Sequence, residues 1–303
     1  MTGDLTTSRK ARLEGGRRLH RDTVTGDTQA PLVSIVTVVR NAAKVIEQTI
    51  VSVLQQTYGN IEYIVVDGGS TDGTIDVIRK YDDKIDYWVS EPDSGISDAF
   101  NKGIKLAAGD FVGILNADDR LSPDQIANGV SALRTSEADF VFGDLLYHDE
   151  AGNIVHRING DPAYARTIRS KMPELCHPTV LARRSAYERI GLFDTAYRYA
   201  MDYEWVLRLH INGGKGIYVK DVVGHMGLGG TSDVSYLKAL REVRDIAARY
   251  GRPGWLVELE YRYRVLKGAG RRFLERHLPK GLFHRLRNVF NPRYASFDQD
   301  KRS

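Results

Sequence analysis

Cysteine is nearly absent from this chain of 303 residues, which contains a single one, Cys176. One cysteine excludes a disulfide within the chain and favours a reducing compartment, so the expected location is the cytoplasm. The sequence lacks any run of about 18 apolar residues, so no transmembrane helix is expected. Residues 1–30 contain Arg and Lys but no apolar core, which argues against a secretory signal.

Charge of both signs is present, but it is unevenly placed. The net charge is +4 and the pI is about 9.0, with Asp concentrated in the central part and Arg and Lys at the two ends. A hydrophobic content of 42% with 27% charged residues is typical of a soluble globular protein. Residues 1–30 are polar, and we expect them to form a disordered arm.

Apolar runs and amphipathic segments alternate regularly from Pro31 to about residue 143. Strands are predicted at 32–39, 61–66, 85–89, 110–115 and 139–142, and helices at 42–56, 74–81 and 96–107, with a further helix opening at Ser122-Pro123. This alternation predicts a parallel sheet with helices on both faces. Beyond it we expect a hairpin at 145–158, a helix at 202–211, a strand at 217–223 and mostly helix from residue 234.

A polar cluster follows the strand predicted at 110–115. The apolar residues of that strand run directly into Asn116, Asp118 and Asp119. Two carboxylates and an amide at the end of a buried strand are costly unless a positive group lies there. Parallel sheets bind ligands at the carboxyl ends of their strands, and such oxygen ligands suit Mg²⁺ or Mn²⁺ together with substrate phosphates. We therefore predict a metal site for a phosphorylated substrate, with a solvated surface loop as the alternative.

Two further polar segments follow predicted strands. Asp67 opens the sequence Asp-Gly-Gly-Ser-Thr-Asp-Gly-Thr before a helix, and Asp93 and Gly95 lie in Ser-Glu-Pro-Asp-Ser-Gly after the next strand. Glycine lets the backbone approach a ligand closely, so both segments favour one shared ligand site. The alternative for each is an ordinary strand-to-helix turn with a capping side chain. Neither segment is a dinucleotide fingerprint or a Walker A loop.

Three more side chains are candidates for the chemistry. Asp202 lies near the start of a predicted helix, where a carboxylate either caps the helix or acts chemically. His177 and His225 are the histidines nearest the candidate segments. His225 lies in the glycine-rich segment 224–232, where its candidate roles are to complete a metal shell or to contact a diphosphate. The alternative is a structural or solvated histidine.

Taken together, these segments resemble family 2 glycosyltransferases with the GT-A fold. The resemblance covers roughly residues 32–232 and is carried by residues 33–41, 65–74, 91–103, 109–119 and 201–204. Within the family, the sequence most resembles enzymes that act in bacterial cell-surface polysaccharide or glycolipid assembly, like the colanic-acid type enzymes. The resemblance implies an α/β fold with a Rossmann-like, mostly parallel central sheet, helices on both faces, a small antiparallel acceptor-side region and a helical C-terminal tail. It implies a nucleotide-binding half at 31–120, an acceptor half at 121–232 and a basic helical extension at 233–303.

The resemblance also implies roles for the candidate residues. Those expected to bind the nucleotide sugar are Thr37, Val39, Asp67, Asp93, Gly95, Asn116, Asp118 and Asp119. Asp118 would coordinate the metal that bridges the diphosphate, and Asp119 would support the metal or contact the sugar. Asn116 stands where the family has the first Asp of its Asp-x-Asp motif, so the metal prediction rests chiefly on Asp118. Asp202 matches the catalytic base, and His177 lies near the acceptor.

The implied reaction is an inverting transfer of a sugar from a UDP-, GDP- or dTDP-sugar to a hydroxyl of a glycan or a lipid-linked acceptor. It is assisted by Mn²⁺ or Mg²⁺, with Asp202 as the general base. A sugar nucleotidyltransferase is one alternative, although residues 33–41 lack the Gly- and Arg-rich triphosphate loop that such enzymes usually carry. A non-catalytic scaffold that binds a nucleotide sugar is the other.

The tail over residues 262–287 is strongly basic, with Glu275 as its only acid. Apolar residues are interleaved with its Arg and Lys, a composition that favours peripheral contact with an anionic membrane on its cytoplasmic side. The alternative is a helix whose apolar face packs on the core or on a second subunit of a homo-oligomer. No nucleic-acid motif accompanies the charge, so binding to nucleic acid is not expected.

Overall fold

The computed structural model describes residues 12–20, 30–149, 151–169, 172–227 and 236–277. The strands in these ranges are β1 Leu13–Gly15, β2 Val33–Val39, β3 Ile61–Asp67, β4 Tyr87–Ser90, β5 Phe111–Asn116, β6 Asp119–Leu121, β7 Phe140–His148, β8 Ile154–Ile158, β9 Leu181–Arg183 and β10 Gly216–Gly227. The helices are α1 Ile46–Leu54, α2 Thr74–Arg79, α3 Ile96–Leu106, α4 Gln125–Arg134, α5 Tyr164–Thr167, α6 Arg184–Ile190, α7 Met201–Ile211, α8 Tyr236–Arg249 and α9 Gly254–His277. Short 3₁₀ turns lie at Arg17–Leu19 and His177–Thr179.

The strands form one sheet in the order β1-β4-β3-β2-β5-β9-β7-β10-β6, with β8 paired to β7. Strands β2, β3, β4 and β5 are mutually parallel, so their carboxyl ends meet at one edge. Strand β9 runs antiparallel to both β5 and β7, and β6 runs antiparallel to β10. The sheet is thus parallel in its first half and mixed in its second, which agrees with the predicted architecture.

The strands of the parallel half form because their side chains are buried on both faces of the sheet. All seven residues of β2 are buried, and Val36 and Val38 pack into one apolar cluster while Ile35 and Val39 pack into the other. Such uniform burial is typical of parallel strands covered by helices on both sides. The hairpin predicted at 145–158 is present as β7 and β8.

Two boundaries differ from the sequence-based prediction. Helix α4 begins at Gln125 with Asp124 at its N-cap position, rather than at Pro123 after a Ser122 cap. The Ser122 hydroxyl instead bonds the His225 ring at 2.8 Å, so it is unavailable for capping. Strand β6, directly after the acidic cluster, was not predicted because three residues are too few to show a period.

The prediction of a disordered arm over residues 1–30 is wrong for residues 12–20. Strand β1 pairs antiparallel with β4 at the edge of the sheet. Arg17 bonds the carboxylate of Asp86 at 2.7 Å, and Arg18 forms an ion pair with Glu62, whose side chain is fully buried. The polar sequence gave no sign of this because the segment is held by pairs with distant acids rather than by an apolar pattern. Residues 1–11 and 21–29 of the predicted arm lie outside the described residues.

Replacing Arg18 with alanine is expected to lower the free energy of unfolding by about 3 kcal/mol, because it leaves the buried Glu62 carboxylate without its counter-charge. Urea denaturation measures the loss. Arg79→Ala is the matched control, since Arg79 and Asp76 form an exposed pair on α2 and such pairs contribute about 0–1 kcal/mol. Equal losses in the two variants would show that the segment at 12–20 does not stabilise the sheet through Glu62.

The helices after residue 233 agree with the predicted helical extension. Helix α8 packs on the core through Ile246 and Ala247, which are both buried, and α9 packs against α8. Within the described ranges, none of the helices is long and apolar enough to cross a bilayer. Residues 278–287 of the predicted basic stretch lie outside the described residues. The domain boundary at residue 232 stays a prediction.

Candidate active site

A cavity of about 950 Å³ opens at the edge of the sheet where β2, β5 and β10 end. Its walls include residues from the polar segments that follow β2, β3, β4 and β5. The predicted site residues that line it are Val39, Asp93, Gly95, Asn116, Asp118, His177 and Asp202. A space of this size suits a ligand larger than a single sugar. The functional roles of these residues stay predictions.

The acidic end of the cavity lies where β5 runs into β6. Asp118 is exposed to the cavity, whereas the side chain of Asp119 is fully buried beneath it. The side-chain amide of Asn116 donates to Asp119 Oδ2 at 2.9 Å. Burial raises the pKa of Asp119 well above its ordinary value, and the neighbouring Asp118 carboxylate raises it further. Asp119 therefore lies behind the cavity wall and does not line it, and its predicted role stays a prediction.

Two oxygen atoms at this end have no hydrogen-bond partner although they are buried, namely Asn116 Oδ1 and Asp119 Oδ1. Unsatisfied buried acceptors are rare and call for an explanation such as a bound ion. The described residues hold no group of three or more His, Cys, Asp and Glu side chains that would cage a metal. Mg²⁺ needs no such cage, since one or two carboxylates plus substrate phosphates usually hold it. The oxygen set around Asp118 therefore fits a divalent cation that arrives with a diphosphate.

The loop after β4 is fitted closely against the end of β3. Asp93 Oδ1 accepts from the N–H of Gly95 at 2.9 Å, and a side chain at Gly68 would collide with the Asp93 carboxylate. Gly95 has a φ of 132°, which only glycine adopts without strain. The two segments that follow β3 and β4 are therefore interlocked, and this fixes Asp93 at the wall of the cavity.

Three cationic side chains line the same cavity, namely Arg40, Lys44 and Arg198. Arg40 and Lys44 are exposed and make no ion pair or hydrogen bond with any residue in the described ranges. The Arg198 guanidinium lies 6.0 Å from the centre of the Tyr199 ring. Cations without carboxylate partners in a concave site attract anions, and phosphate groups are the natural choice for Arg and Lys.

Asp202 lies on the cavity wall at the second position of helix α7. Its Oδ1 accepts from the N–H of Tyr203 at 2.8 Å, and the side chain is half-buried. Burial raises the pKa of the Asp202 carboxyl above its ordinary value, and the nearby His177 offsets part of this rise. Burial lowers the pKa of His177, whereas the Asp202 charge acts in the opposite direction. A carboxylate with a raised pKa is a better proton acceptor than an exposed one.

His177 is held beside Asp202 by the 3₁₀ turn at His177–Thr179. Its ring lies 5.4 Å from the Phe100 ring, centre to centre. The His177 Nε2 atom is buried and has no hydrogen-bond partner. The Nε2 atom of His177 is thus a proton donor or acceptor without a partner in the wall of the cavity that Asp202 also lines.

Thr37 and Asp67 do not line the cavity, and their predicted contacts with the nucleotide stay predictions. Thr37 is buried and its hydroxyl lies 3.1 Å from the Tyr63 hydroxyl in the core. Asp67 is also fully buried, and its Oδ2 accepts from the N–H groups of Gly69 and Ser70 at 2.9 Å. Asp67 therefore shapes the turn after β3, which was the alternative for this motif. Val38 and Val39 form the wall where Thr37 was expected.

His225 is not among the residues that line the cavity. Its Nε2 accepts from the Ser122 hydroxyl at 2.8 Å, and its Nδ1 donates to Nε2 of His148 at 2.7 Å. The other ring nitrogen of His148 donates to the carbonyl of Gly152 at 3.0 Å, which sets the direction of the whole series. Both ring nitrogens of His225 are thus engaged, and the neighbouring Met226 and Gly227 line the cavity instead. Residues 228–232 of its glycine-rich segment lie outside the described residues.

Several cavity residues were missed by the sequence analysis, namely Arg40, Lys44, Asp72, Tyr147 and Arg198. Arg40 and Lys44 had a usable signal, because they follow the end of a buried strand directly. Asn41 between them has a φ of 51°, and its side chain accepts from the N–H of Thr71 at 2.8 Å. This contact ties the loop after β2 to the loop that carries Asp72. Tyr147 and Arg198 had no signal, because their approach depends on the folding of distant segments.

The fold is an α/β fold with a mixed sheet, and its parallel strands end at a cavity lined by acidic and cationic side chains. Residues 34–191 match glycosyl transferase family 2. The chain belongs to this family, which confirms the predicted family and the predicted class of enzyme.

Proteins of similar sequence are also named glycosyltransferases. An uncharacterised glycosyltransferase of Rickettsia typhi is 32% identical over 195 residues, which are 61% of this chain and 61% of that protein. An uncharacterised glycosyltransferase of Mycobacterium tuberculosis is 35% identical over 189 residues, covering 60% of this chain and 70% of that protein. A PGL/p-HBAD biosynthesis glycosyltransferase of Mycobacterium bovis is 30% identical over 188 residues, covering 60% of this chain and 71% of that protein.

Solved structures confirm the predicted GT-A fold. A mannosyltransferase from Pyrobaculum calidifontis in complex with GDP-Man and Mn²⁺ is similar with a TM-score of 0.62 and 21% identity, over 89% of this chain and 84% of that one. S. aureus TarS 1–349 in complex with UDP-GlcNAc is similar with a TM-score of 0.54 and 16% identity, over 75% of this chain and 69% of that one. At these identities the likeness concerns the fold.

Proposed function

We propose that the cavity binds a nucleoside diphosphate sugar and that the enzyme transfers the sugar, with inversion, to a hydroxyl of a glycan or a lipid-linked acceptor. One observation carries this proposal. A single space of about 950 Å³ has Asp118 and the unpaired cations Arg40 and Lys44 in its walls together with Asp202, a carboxylate suited to accept a proton. An anionic donor and a hydroxyl acceptor need this combination.

The donor is a UDP-, GDP- or dTDP-sugar in this proposal. Asp118 and the side-chain oxygen of Asn116 would hold Mn²⁺ or Mg²⁺, and the ion, when bound, would supply charge neutralisation for the departing diphosphate. Arg40 and Lys44 contribute further positive charge to the same cavity. Of the solved structures with a similar fold, one is a complex with GDP-Man and Mn²⁺ and another is a complex with UDP-GlcNAc. These complexes support a nucleotide sugar and a divalent cation as ligands of this cavity.

In the reaction, the acceptor hydroxyl attacks the anomeric carbon as the bond from that carbon to the diphosphate oxygen breaks. Asp202 takes the proton of the hydroxyl, so the products are a glycoside, a nucleoside diphosphate and a protonated carboxyl. The nearby His177 lowers the pKa of Asp202 and so offsets part of the rise that burial causes. Such a base typically contributes about 10²–10⁴-fold to the rate. The alignment of donor and acceptor in one cavity supplies a further share.

A thermal-shift screen of UDP-, GDP- and dTDP-sugars, with and without Mn²⁺, tests donor binding. A bound ligand raises the melting temperature by mass action, so we expect one nucleotide to stabilise the chain only when Mn²⁺ is present. Stabilisation by a nucleoside triphosphate in preference to every diphosphate sugar would favour a nucleotidyltransferase. Binding of a diphosphate sugar without any release of nucleoside diphosphate would favour a non-catalytic scaffold.

The acceptor is proposed to lie at a membrane, because helix α9 presents an exposed apolar face. Trp255, Leu259, Tyr263 and Leu266 are 60–73% exposed and fall within about 80° of one another around the helix. Over these residues the apolar face is not covered by the core. Arg and Lys outnumber Glu along α9. Apolar side chains with surrounding positive charge fit the surface of an anionic bilayer, on its cytoplasmic side.

Vesicle flotation tests this contact. The full chain is expected to float with vesicles of phosphatidylcholine and phosphatidylglycerol, and Leu259→Glu and Leu266→Glu are each expected to weaken binding by about tenfold. Leu237→Glu on helix α8, also an exposed leucine, is the matched control and should still float. A different result would assign the face to a second subunit of a homo-oligomer instead. In that case the wild type would not float and would sediment as a dimer, whereas Leu259→Glu and Leu266→Glu would sediment as monomers.

A further inference from the structure

Three consecutive backbone N–H groups directly before helix α7 converge on one carboxylate from another helix. The N–H of Arg198 lies 3.0 Å from both oxygens of Glu242, and the N–H groups of Tyr199 and Ala200 lie 2.7 and 2.9 Å from its Oε2. Glu242 is on helix α8, in the C-terminal part of the chain beyond residues 34–191. No established feature of the cavity accounts for this arrangement.

The contact anchors the turn that leads into helix α7. The helix has Ala200 at its N-cap position, and alanine offers no side chain to bind the free N–H groups at the helix start. The Glu242 carboxylate accepts from the N–H of Ala200 and from those of the two residues before it, although it lies 42 to 44 residues further along the chain. Among the described residues Glu242 forms no ion pair, so its charge is balanced by these backbone dipoles.

The helix that carries Glu242 is itself firmly attached. Ile246 and Ala247 are buried against the core, and Arg249 bonds Asp194 at 2.6 Å. The Tyr250 hydroxyl bonds Glu204, which lies on α7 one half-turn beyond Asp202. The C-terminal end of α8 is therefore bonded to residues on both sides of the segment 198–202, namely Asp194 before it and Glu204 after it. A displacement of Glu242 relative to that segment would need the two helices to separate.

We propose that Glu242 is a positioning residue for Asp202, because its carboxylate fixes the backbone turn that presents Asp202 to the cavity. This inference rests on the proposed role of Asp202 as the base. The same turn carries Arg198 and Tyr199, which also line the cavity, so Glu242 sets the wall on the acceptor side. The C-terminal helices, which lie outside the matched family region, thereby take part in forming the active site.

The charge of Glu242 adds a second effect. Burial is the main cause of the raised pKa of Asp202, and the negative charge of Glu242 contributes in the same direction. His177 and the N–H of Tyr203 act in the opposite direction. Since Asp202 must be deprotonated to accept a proton, activity should rise with pH through its pKa. Loss of the Glu242 charge should move this rise to lower pH.

Two variants separate the contact from the charge. Glu242→Ala removes both, whereas Glu242→Gln keeps an acceptor oxygen and removes only the charge. Asp245→Asn, on the same helix and paired only with its neighbour Arg244, is the matched control. Hydrogen exchange of the Arg198, Tyr199 and Ala200 amides and a ¹³C NMR titration of the Asp202 carboxyl are measured in each. The Asp202 resonance is identified by its loss in Asp202→Asn.

We expect amide exchange at 198–200 to accelerate at least tenfold in Glu242→Ala, and the pKa of Asp202 to fall in Glu242→Gln. With a donor in hand, kcat should fall by about 10²-fold in Glu242→Ala with little change in donor KM. The pH profile should shift to lower pH in both variants, because both remove the charge of Glu242. Unchanged amide exchange in Glu242→Ala, or an unchanged pKa of Asp202 in Glu242→Gln, would overturn the proposal.

These readouts separate this inference from the proposed function. The exchange and titration experiments need no substrate, so they test Glu242 even if Asp202 proves not to be the base. If Glu242→Ala fails to fold, Glu242→Gln and Glu242→Asp decide the matter, with partial protection of the three amides expected in each. Normal turnover in Asp202→Asn would reject the proposed base without affecting the exchange result.

Discussion

Replacing Asp202 with asparagine is expected to lower kcat by about 10²–10⁴-fold, while the affinity for the nucleotide sugar stays nearly unchanged. Asparagine has the same shape as aspartate and keeps an oxygen for the N–H of Tyr203, so the start of helix α7 should be preserved. It cannot accept the proton of the acceptor hydroxyl. Turnover of the identified donor and acceptor, with donor affinity measured by calorimetry, separates the two effects.

The pH dependence of the wild type provides a second readout of the same residue. Burial raises the pKa of Asp202, so kcat/KM should rise with pH through a value above the ordinary range of an aspartate. The rise should be absent in Asp202→Asn. Turnover near that of the wild type in the variant would remove Asp202 from the role of base.

Replacing Asp118 with alanine is expected to remove the metal-dependent part of nucleotide binding. Asp118 is the one cavity-lining carboxylate at the end of β5 in the described residues, and Asn116 cannot replace its charge. The loss of a charged ligand to the cation should weaken binding by about 3 kcal/mol, or roughly 10²-fold in Kd. Calorimetric titrations of UDP and GDP, each with and without Mn²⁺, measure this difference.

Asp83→Ala is the matched control for Asp118, because Asp83 is exposed and lies outside the cavity. The control should bind nucleotide as the wild type does, with the same dependence on Mn²⁺. If the metal-dependent affinity survived in Asp118→Ala, the cation would have to be held elsewhere. The unsatisfied oxygens of Asn116 and Asp119 would then need another explanation.

The parallel half of the sheet was predictable because its strands are uniform apolar runs followed by polar strand ends. Topology brings the carboxyl ends of such strands together, so the order of strands and polar segments along the chain is enough to group Asp93, Asn116 and Asp118. The same uniformity hides the burial of Thr37 in the core. A strand with no alternation of polar and apolar residues does not show which face each residue takes.

Contacts between distant segments account for what the sequence could not show. The pairing of Arg18 with Glu62 and the bonding of Glu242 to the turn before helix α7 each join residues more than 40 positions apart. Neither pair forms a local pattern, since each partner alone resembles an ordinary surface charge. The engagement of His225 by Ser122 and His148 is of the same kind. These contacts decide which polar side chains are structural and which remain available in the cavity.

The central claim is that the enzyme breaks the bond between the anomeric carbon of a nucleotide sugar and the diphosphate oxygen. The most direct measurement is to identify the products formed from the stabilising donor and a hydroxyl acceptor, by ³¹P and ¹H NMR. We predict release of the nucleoside diphosphate together with a glycoside of inverted anomeric configuration, and loss of both products in Asp202→Asn. Release of pyrophosphate, or a glycoside that retains the configuration of the donor, would contradict this account.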